Sequence, residues 1–307
     1  METKNQYKAS WRKVEGKNQE MVIPRSSHGV SSAQPGEGLQ WQHPAIVVFG
    51  GENVARTPID SNVYYIEIDG DCTWKHAEAA AGSPVPPPRV ASSQVFIGKH
   101  LYVFGGRQGI LEGEVGLNDF WRFDFSTNVW EEIQHKGEIP ETRSFHKMWE
   151  SNGEIYIFGG CPTAATGRLN DLHHYNIATS EWKKLASSDA IDGRGGPGFQ
   201  GSPDGQSLYV SSGYAGRQTN DVHRFSVKDN SWTQLENYPE SICARSVTAN
   251  VTLNKLNLMM LFGGEVSISS KGHEGAGGFN NEVICLNISN EKAPAFQIGG
   301  DWTAEGE

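Results

Sequence analysis

One apolar segment that ends in two glycines occurs four times in this chain of 307 residues. The four copies occupy residues 46–51, 101–106, 155–160 and 259–264, and a weaker copy occupies residues 208–213. An apolar, β-rich run that stops at Gly-Gly predicts a buried strand followed by a turn that needs positive φ or no side chain. Five copies at a spacing of roughly 50 residues predict a repeat architecture.

Three further residue types recur in phase with the glycine pairs, namely an Asn that leads a strand, a Trp that follows it, and an Arg that starts the next unit. They are Asn62, Asn118, Asn170, Asn220 and Asn281; Trp74, Trp130, Trp182 and Trp232; and Arg89, Arg143, Arg194 and Arg245. Chance spacing does not keep four residue types in phase. The pattern resembles the kelch repeat from Trp11 to about Leu286. We therefore expect an all-β, kelch-type β-propeller with five recognisable blades.

The closure of the propeller has two solutions in the sequence. Residues 10–14 resemble the outer fourth strand of a blade, because Trp11 precedes Arg25 at the spacing seen elsewhere. After Asn287 the sequence has no Trp at the spacing seen in the earlier repeats. Either the strand at Trp11 completes blade five, or a sixth blade is missing. We expect a disordered segment over 1–9, one propeller domain over 10–290 and a C-terminal tail over 291–307.

Composition narrows the function classes. The formal charge of −10 and the isoelectric point of about 5.5 argue against nucleic-acid and membrane partners. No apolar run reaches about 18 residues, and the polar N-terminus does not resemble a secretory signal. The four cysteines lie in different repeats without a Cys-x-x-Cys pair, so we expect free thiols in a reducing compartment. These features predict a cytoplasmic protein, with the nucleus as an additional location.

We expect several arginines to lie at one mouth of the central channel. In an antiparallel blade, the start of the first strand and the residues after the Gly-Gly pair of the second strand lie at the same edge of the sheet. The blade-start arginines are Arg25, Arg89, Arg143, Arg194 and Arg245, and the loop residues are Glu52, Arg107, Tyr214 and Glu265. One interpretation is a pocket for an anionic small molecule or protein ligand. The alternative is that the arginines bond carbonyls and carboxylates of neighbouring blades. Arg107 departs from the repeat and is the strongest ligand-binding candidate.

The glycine-rich loop that follows the last glycine pair carries Glu265, His273 and Glu274. An imidazole with oxygen ligands suits a ferrous ion, by analogy with two-His-one-carboxylate sites. The alternative is a solvated loop in which the histidine is a hydrogen-bonding residue.

Four segments make the resemblance more specific: residues 25–28, 104–107, 193–198 and 263–275 resemble the plant nitrile-specifier, epithiospecifier and thiocyanate-forming proteins. That family has six blades and acts beside myrosinase. With non-haem Fe(II), it steers the glucosinolate aglucone towards nitriles, epithionitriles or thiocyanates instead of isothiocyanates.

The resemblance also implies particular site residues. The iron motif of the family, Glu-x-x-x-Asp-x-x-x-His, places Glu265 and His273 as iron ligands, but Ser269 stands where the motif has Asp. Either Glu274 or water replaces that ligand, or no iron binds. Arg107 matches the arginine expected to face the sulfate of the aglucone.

Two functions follow from these observations. The first is a specifier-like kelch module that binds a ligand or a protein, motivated by Ser269 and by the missing blade. The alternative is an iron-dependent specifier with Arg107, Glu265 and His273 at its centre. A copper radical oxidase would need a Cys–Tyr pair with further His and Tyr ligands, which the sequence does not offer.

Overall fold

The computed structural model describes residues 10–11, 13–109, 114–163, 167–236, 238–239, 241–270, 277–292 and 295–298. The chain divides into two compact units. The three-blade unit comprises Val14–Ser187 and Asp192–Gly195, and the two-blade unit comprises Met1–Lys13, Ser188–Ile191 and Gly196–Glu307.

The three-blade unit contains three antiparallel sheets that follow one another along the chain. Blade one is formed by β1 (Gly29–Ala33), β2 (Ala45–Phe49), β5 (Val63–Glu67) and β6 (Lys75–Ala77), with a small hairpin of β3 (Glu52–Val54) and β4 (Thr57–Pro58). Blade two is formed by β7 (Ser93–Ile97), β8 (His100–Gly106), β9 (Leu117–Asp124) and β10 (Val129–Glu132). Blade three is formed by β12 (Lys147–Ser151), β13 (Glu154–Gly160), β14 (Leu169–Asn176) and β15 (Glu181–Lys184), with β11 (Lys136–Gly137) parallel to β15. A short 3₁₀ helix, Gln19–Met21, precedes blade one.

The two-blade unit contains two further four-stranded sheets. Blade four is formed by β16 (Gly198–Gly201), β17 (Ser207–Ser211), β18 (Val222–Ser226) and β19 (Ser231–Leu235). Blade five is formed by β20 (Ala249–Leu253), β21 (Leu258–Phe262), β24 (Val283–Asn287) and β25 (Phe296–Ile298), with a hairpin of β22 (Glu265–Ser267) and β23 (Gly278–Phe279) and a 3₁₀ helix at Asn254–Leu256. These five sheets confirm the predicted all-β kelch fold class with five blades.

The tryptophans recur in phase because they fill the space between consecutive blades. Trp130 of blade two and Trp182 of blade three are each 1% exposed. The ring of Trp130 lies 5.3 Å from that of Phe49, and the ring of Trp182 lies 5.5 Å from that of Phe104. In both cases a tryptophan packs on the phenylalanine that precedes the Gly-Gly pair of the blade before it. Such aromatic contacts bury large apolar areas and so favour folding of the blades as a unit.

The glycine pairs are required by backbone geometry. Gly105 and Gly106 have φ of 60° and 93°, and the amide of Gly106 donates a 2.9 Å hydrogen bond to the carbonyl of Arg143 in the next blade. A Cβ atom at Gly106 would lie 2.7 Å from the carbonyl oxygen of Val90. The turn therefore needs a residue that accepts positive φ and has no side chain.

Of the two predicted closures, the one in which the strand at Trp11 completes blade five is wrong. The fourth strand of blade five is β25, which pairs with β24 through Val283↔Ile298 and Cys285↔Phe296. It comes from the segment that we expected to be a tail. The edge of β24 is thus occupied by β25, and Trp11 lies outside the described strands. Its ring instead packs 4.9 Å from that of Phe262.

The four cysteines are free thiols, as predicted, and Cys285 is buried. No helix among the described residues is long and apolar enough to cross a membrane.

Two Gly→Ala variants distinguish the cost of backbone strain from the cost of a steric clash. In Gly160→Ala, φ of 104° strains the new residue, and its Cβ would lie 2.8 Å from the Ser144 carbonyl oxygen. In the control Gly153→Ala, φ is 77° and no atom lies within 4 Å of the Cβ position. We expect losses in the free energy of unfolding of about 3 kcal/mol and about 1 kcal/mol respectively, measured by urea titration followed by circular dichroism. Equal losses would contradict a steric role for the glycine pair.

Candidate anion-binding site

The blade-start arginine of blade two is satisfied inside its own blade. Arg89 is fully buried, and its Nη1 donates to the carbonyl of Gly105 at 2.9 Å. Nη1 and Nη2 also donate to the two oxygens of Asp119, each at 2.7 Å. This bidentate pair uses the planar fork of the guanidinium.

Blade three repeats the arrangement. Arg143 is fully buried, and it donates to both oxygens of Asp171 at 2.8 and 2.9 Å and to the carbonyl of Gly159 at 3.0 Å. His173 Nε2 lies 2.9 Å from Asp171 Oδ2. Burial alone would raise the pKa of Asp171, but the hydrogen bonds from His173 and Arg143 outweigh it and hold that pKa well below its usual range.

The other blade-start arginines are also held by nearby protein groups. In the two-blade unit, Arg245 donates to the carbonyl of Gly263, to Asn280 Oδ1 and to Glu282 Oε2. In the three-blade unit, the guanidinium of Arg25 donates to the carbonyl of Gly50 and lies 3.8 Å from the carboxylate of Asp60. It also lies over the ring of Tyr64. Arg194 is fully buried, and its Nε donates to the carbonyl of Asp192. An external anion would have to displace these partners from buried guanidiniums. The geometry favours the structural interpretation of Arg25, Arg143, Arg194 and Arg245.

The residues that follow Gly-Gly occupy equivalent positions at the edges of the blades. In the three-blade unit, Glu52, Arg107 and Cys161 each form an antiparallel bridge with the residue after a blade-start arginine. In the two-blade unit, Glu265 forms the same bridge with Ser246. The backbone of this position is fixed by the repeat, so its side chain is free to differ from blade to blade.

Arg107 differs from the blade-start arginines in its surroundings. Its guanidinium carbon lies 5.2 Å from the centroid of the Phe145 ring, a cation–π contact. Its Nε is buried and has no hydrogen-bond partner among the residues that the structure describes. The side chain is only partly buried. The guanidinium of Arg107 is therefore held against the Phe145 ring, and its Nε–H donates to no residue that the structure describes.

Phe145 is a residue of this site that the sequence analysis missed. It adopts the left-handed conformation with φ of 55°, as do Ser27 and Ala91 at the same motif position of blades one and two. The amide of Phe145 donates to the carbonyl of Ala91 at 2.9 Å, and that of Ala91 donates to Ser27 at 2.7 Å. This chain of inter-blade hydrogen bonds holds the strained backbone. The only sequence signal is the position of Phe145 two residues after the blade-start arginine.

The charges of Arg107 and Arg168 act together on Cys161. Burial raises the pKa of the Cys161 thiol, while the charges of Arg168 and Arg107 act in the opposite direction. Both guanidiniums thus act on the position that Cys161 occupies in blade three. The carboxylate of Glu52 in blade one is already engaged, because Oε1 accepts from Ser27 Oγ at 2.9 Å and Oε2 accepts from the Arg56 amide at 2.6 Å.

A neutral histidine lies in the same unit. The pKa of His28 is lowered by burial and then by the charges of Arg25 and Lys147. Its Nδ1 is buried and lacks a hydrogen-bond partner within the described part of the chain. Arg25 and Lys147 add cationic charge near His28, which favours anions on an otherwise acidic protein.

The described residues do not assemble the predicted iron site. Glu265 Oε1 accepts from the Gly277 amide at 2.9 Å, and Oε2 accepts from Gln218 Nε2 at 3.4 Å. His273 and Glu274 lie outside the described residues. Within the described ranges, no group of three His, Cys, Asp or Glu side chains could hold a metal. Of the predicted ligands the structure thus places only Glu265, and both of its oxygens accept hydrogen bonds from protein groups.

Residues 39–264 match the model of the KLHDC2/KLHL20/DRC7 Kelch-repeats domain. The chain belongs to the kelch-repeat family. It is 32% identical over 302 residues to the N-(sulfonatooxy)prop-2-enimidothioate sulfolyase of Thlaspi arvense, a match that covers 90% of this chain and 80% of the relative. This match confirms the predicted resemblance to plant kelch proteins of the specifier kind.

Other relatives share only part of their length with this kelch chain. It is 29% identical to the Leucine-zipper-like transcriptional regulator 1 homolog of Drosophila melanogaster, over 64% of the chain and 20% of that protein. It is 29% identical to Kelch domain-containing protein 3 of Rattus norvegicus, over 53% of the chain and 43% of that protein. These two matches extend over the repeats and not over the whole relatives.

The Asp171–Arg143 pair predicts a specific acid response. The folded-state pKa of Asp171 lies below its unfolded value of about 3.9, so its contribution is present above that pH and is lost as the pH falls towards the folded value. Asp171→Asn leaves Arg143 buried without its counter-charge and should lower the free energy of unfolding by about 3 kcal/mol at pH 7. The difference from wild type should shrink below about pH 4.

Chemical denaturation at several pH values measures this response. The exposed Asp69 provides the control Asp69→Asn, which should have little effect at any pH. A loss in Asp171→Asn that stays constant from pH 7 to about pH 3 would contradict the role of the ion pair.

Proposed function

We propose that this kelch protein is a ligand-binding module, and that its ligand is a small molecule with a sulfate-like oxyanion held by Arg107 in the three-blade unit. The carrying observation is the contrast between Arg107 and two blade-start arginines of the same unit, Arg89 and Arg143. Arg89 and Arg143 are fully buried and donate to the carboxylates of Asp119 and Asp171. Arg107 instead rests on Phe145 with its Nε free of partners among the described residues.

The contact with Phe145 prepares Arg107 for binding. An aromatic face under the guanidinium fixes its plane, so less side-chain freedom is lost when an oxyanion meets the donor edge. A sulfate or carboxylate accepts two parallel hydrogen bonds from such an edge. Arg168, which shares the electrostatic environment of Cys161 with Arg107, adds positive charge. On a protein of formal charge −10, this local reversal of sign favours anionic small molecules.

The second candidate function is that of an iron-dependent specifier acting beside myrosinase on the glucosinolate aglucone. It is favoured by the 32% identity to the Thlaspi arvense sulfolyase over 90% of the chain. The name of that relative specifies a substrate with an N-sulfonatooxy group, which is the oxyanion chemistry that Arg107 suits. In this candidate Glu265 and His273, with Glu274, would hold the ferrous ion. The described residues do not form that site, so no reaction step is assigned to iron.

Removing the guanidinium tests the binding proposal. Arg107→Gln should weaken the binding of a stable glucosinolate by about tenfold or more, because a charge-assisted pair with the sulfate is lost. Isothermal titration calorimetry measures the dissociation constant. The matched control is Arg122→Gln in the same blade, since Arg122 is paired with Glu131 on the surface. Equal affinities for wild type and Arg107→Gln would contradict the proposal.

A coupled assay separates the two candidates. Myrosinase and a glucosinolate are incubated with the purified protein, with and without Fe²⁺, and nitrile is measured against isothiocyanate. An iron-dependent shift towards nitrile that is lost in His273→Ala would establish the specifier. For the binding module we expect no shift in product ratio while Arg107-dependent binding persists.

A further inference from the structure

A polar cleft lies in the two-blade unit, at the opposite ends of β17 and β21 from their glycine turns. Its volume is about 610 Å³, which is in the size range of small-molecule sites. One wall is the β16–β17 hairpin with the adjoining strands, and the other is the connection between β24 and β25. The residues that line the cleft include Ser202, Asp204, Tyr209, Arg224, Glu291 and Lys292.

The carboxylate of Glu291 ties the two walls together. Its Oε1 accepts from the Tyr209 hydroxyl at 2.7 Å, and its Oε2 lies 3.1 Å from Arg224 Nη1. Burial and then this hydrogen bond to Glu291 raise the pKa of Tyr209, which stays a neutral donor. Glu291 is thus held from both sides and has little capacity left for a cationic ligand.

The second acid of the cleft is also engaged. Asp204 Oδ1 accepts from Ser202 Oγ at 2.5 Å and from the Gln206 amide at 3.0 Å. The hydrogen bond from Ser202, and then that from the Gln206 amide, lower the pKa of Asp204. They fix the carboxylate as part of the hairpin turn.

The cations of the cleft keep donor capacity. A guanidinium carries five N–H donors, and the ion pair with Glu291 engages Arg224 through Nη1. The Arg224 side chain is 34% exposed, and Lys292 is exposed on the opposite wall. Asn287 Oδ1 accepts from the amides of Ser289 and Asn290 and so shapes the segment that presents Lys292.

We infer that this cleft binds a small polycarboxylate. Two cations with spare donors face a cavity whose acids are already hydrogen-bonded, so the complementary ligand brings acceptors and negative charge. The cavity volume exceeds that of a single inorganic anion, which favours an organic molecule with more than one carboxylate. The site is separate from Arg107 and does not depend on the proposed function.

Calorimetric titration of the full chain with citrate, at constant ionic strength, tests the inference. We expect saturable binding, weakened about fivefold in Lys292→Gln and about tenfold or more in Arg224→Gln. Lys292→Gln leaves the Arg224–Glu291 pair intact, so it reports on binding even where Arg224→Gln perturbs folding. Arg217→Gln, an exposed charge near the glycine turn of blade four, serves as the control and should bind citrate like wild type.

Two outcomes would overturn the inference: no saturable citrate binding, or equal weakening in Arg217→Gln and Lys292→Gln. Inorganic phosphate and erythritol serve as comparison probes. Tighter binding of either one than of citrate would also reject a polycarboxylate site.

Discussion

The buried arginine at the start of a blade is the interaction on which the kelch architecture depends. In blade three, the Arg143 side chain joins the carbonyl of Gly159 to the carboxylate of Asp171. Its own carbonyl accepts the amide of Gly106 from blade two. One residue thus satisfies groups in its own blade and in the previous one. Because a buried charge without a partner is costly, removing either Arg143 or Asp171 alone should destabilise the blade.

The repeated backbone contacts also determine at which positions the side chain can differ between blades. The residue after Gly-Gly keeps its backbone bridge in blades one, two and three, but its side chain is Glu52, Arg107 or Cys161. The left-handed residue two positions after each arginine is likewise fixed in backbone and variable in side chain. For Phe145 this conformation costs about 1–2 kcal/mol, which the inter-blade amide bonds offset. Function on this fold resides in positions whose backbone is repeated and whose side chain is not.

The blades were predictable because their signals are local and periodic. Glycine pairs report positive φ, and Trp130 and Trp182 report apolar burial between blades. The fourth strand of blade five was not predictable, because 296–298 carries neither Trp nor the expected spacing and only pairing with β24 identifies it. The sequence singled out Arg107 because that residue breaks the repeat. Its support by Phe145 was missed, since a left-handed phenylalanine has no signature in the sequence.

The contrast between the arginines also limits which ligands the protein can select. Arg89 and Arg143 are poor anion receptors, because an added anion would have to displace Asp119 or Asp171 from a fully buried guanidinium. Selectivity must therefore come from a cation outside these pairs. Arg107 meets that condition through an uncharged support, the ring of Phe145, which orients the guanidinium without neutralising it. A carboxylate in the place of that ring would give a stiffer arginine but a weaker attraction for an oxyanion, so an aromatic support suits binding better than an ion pair.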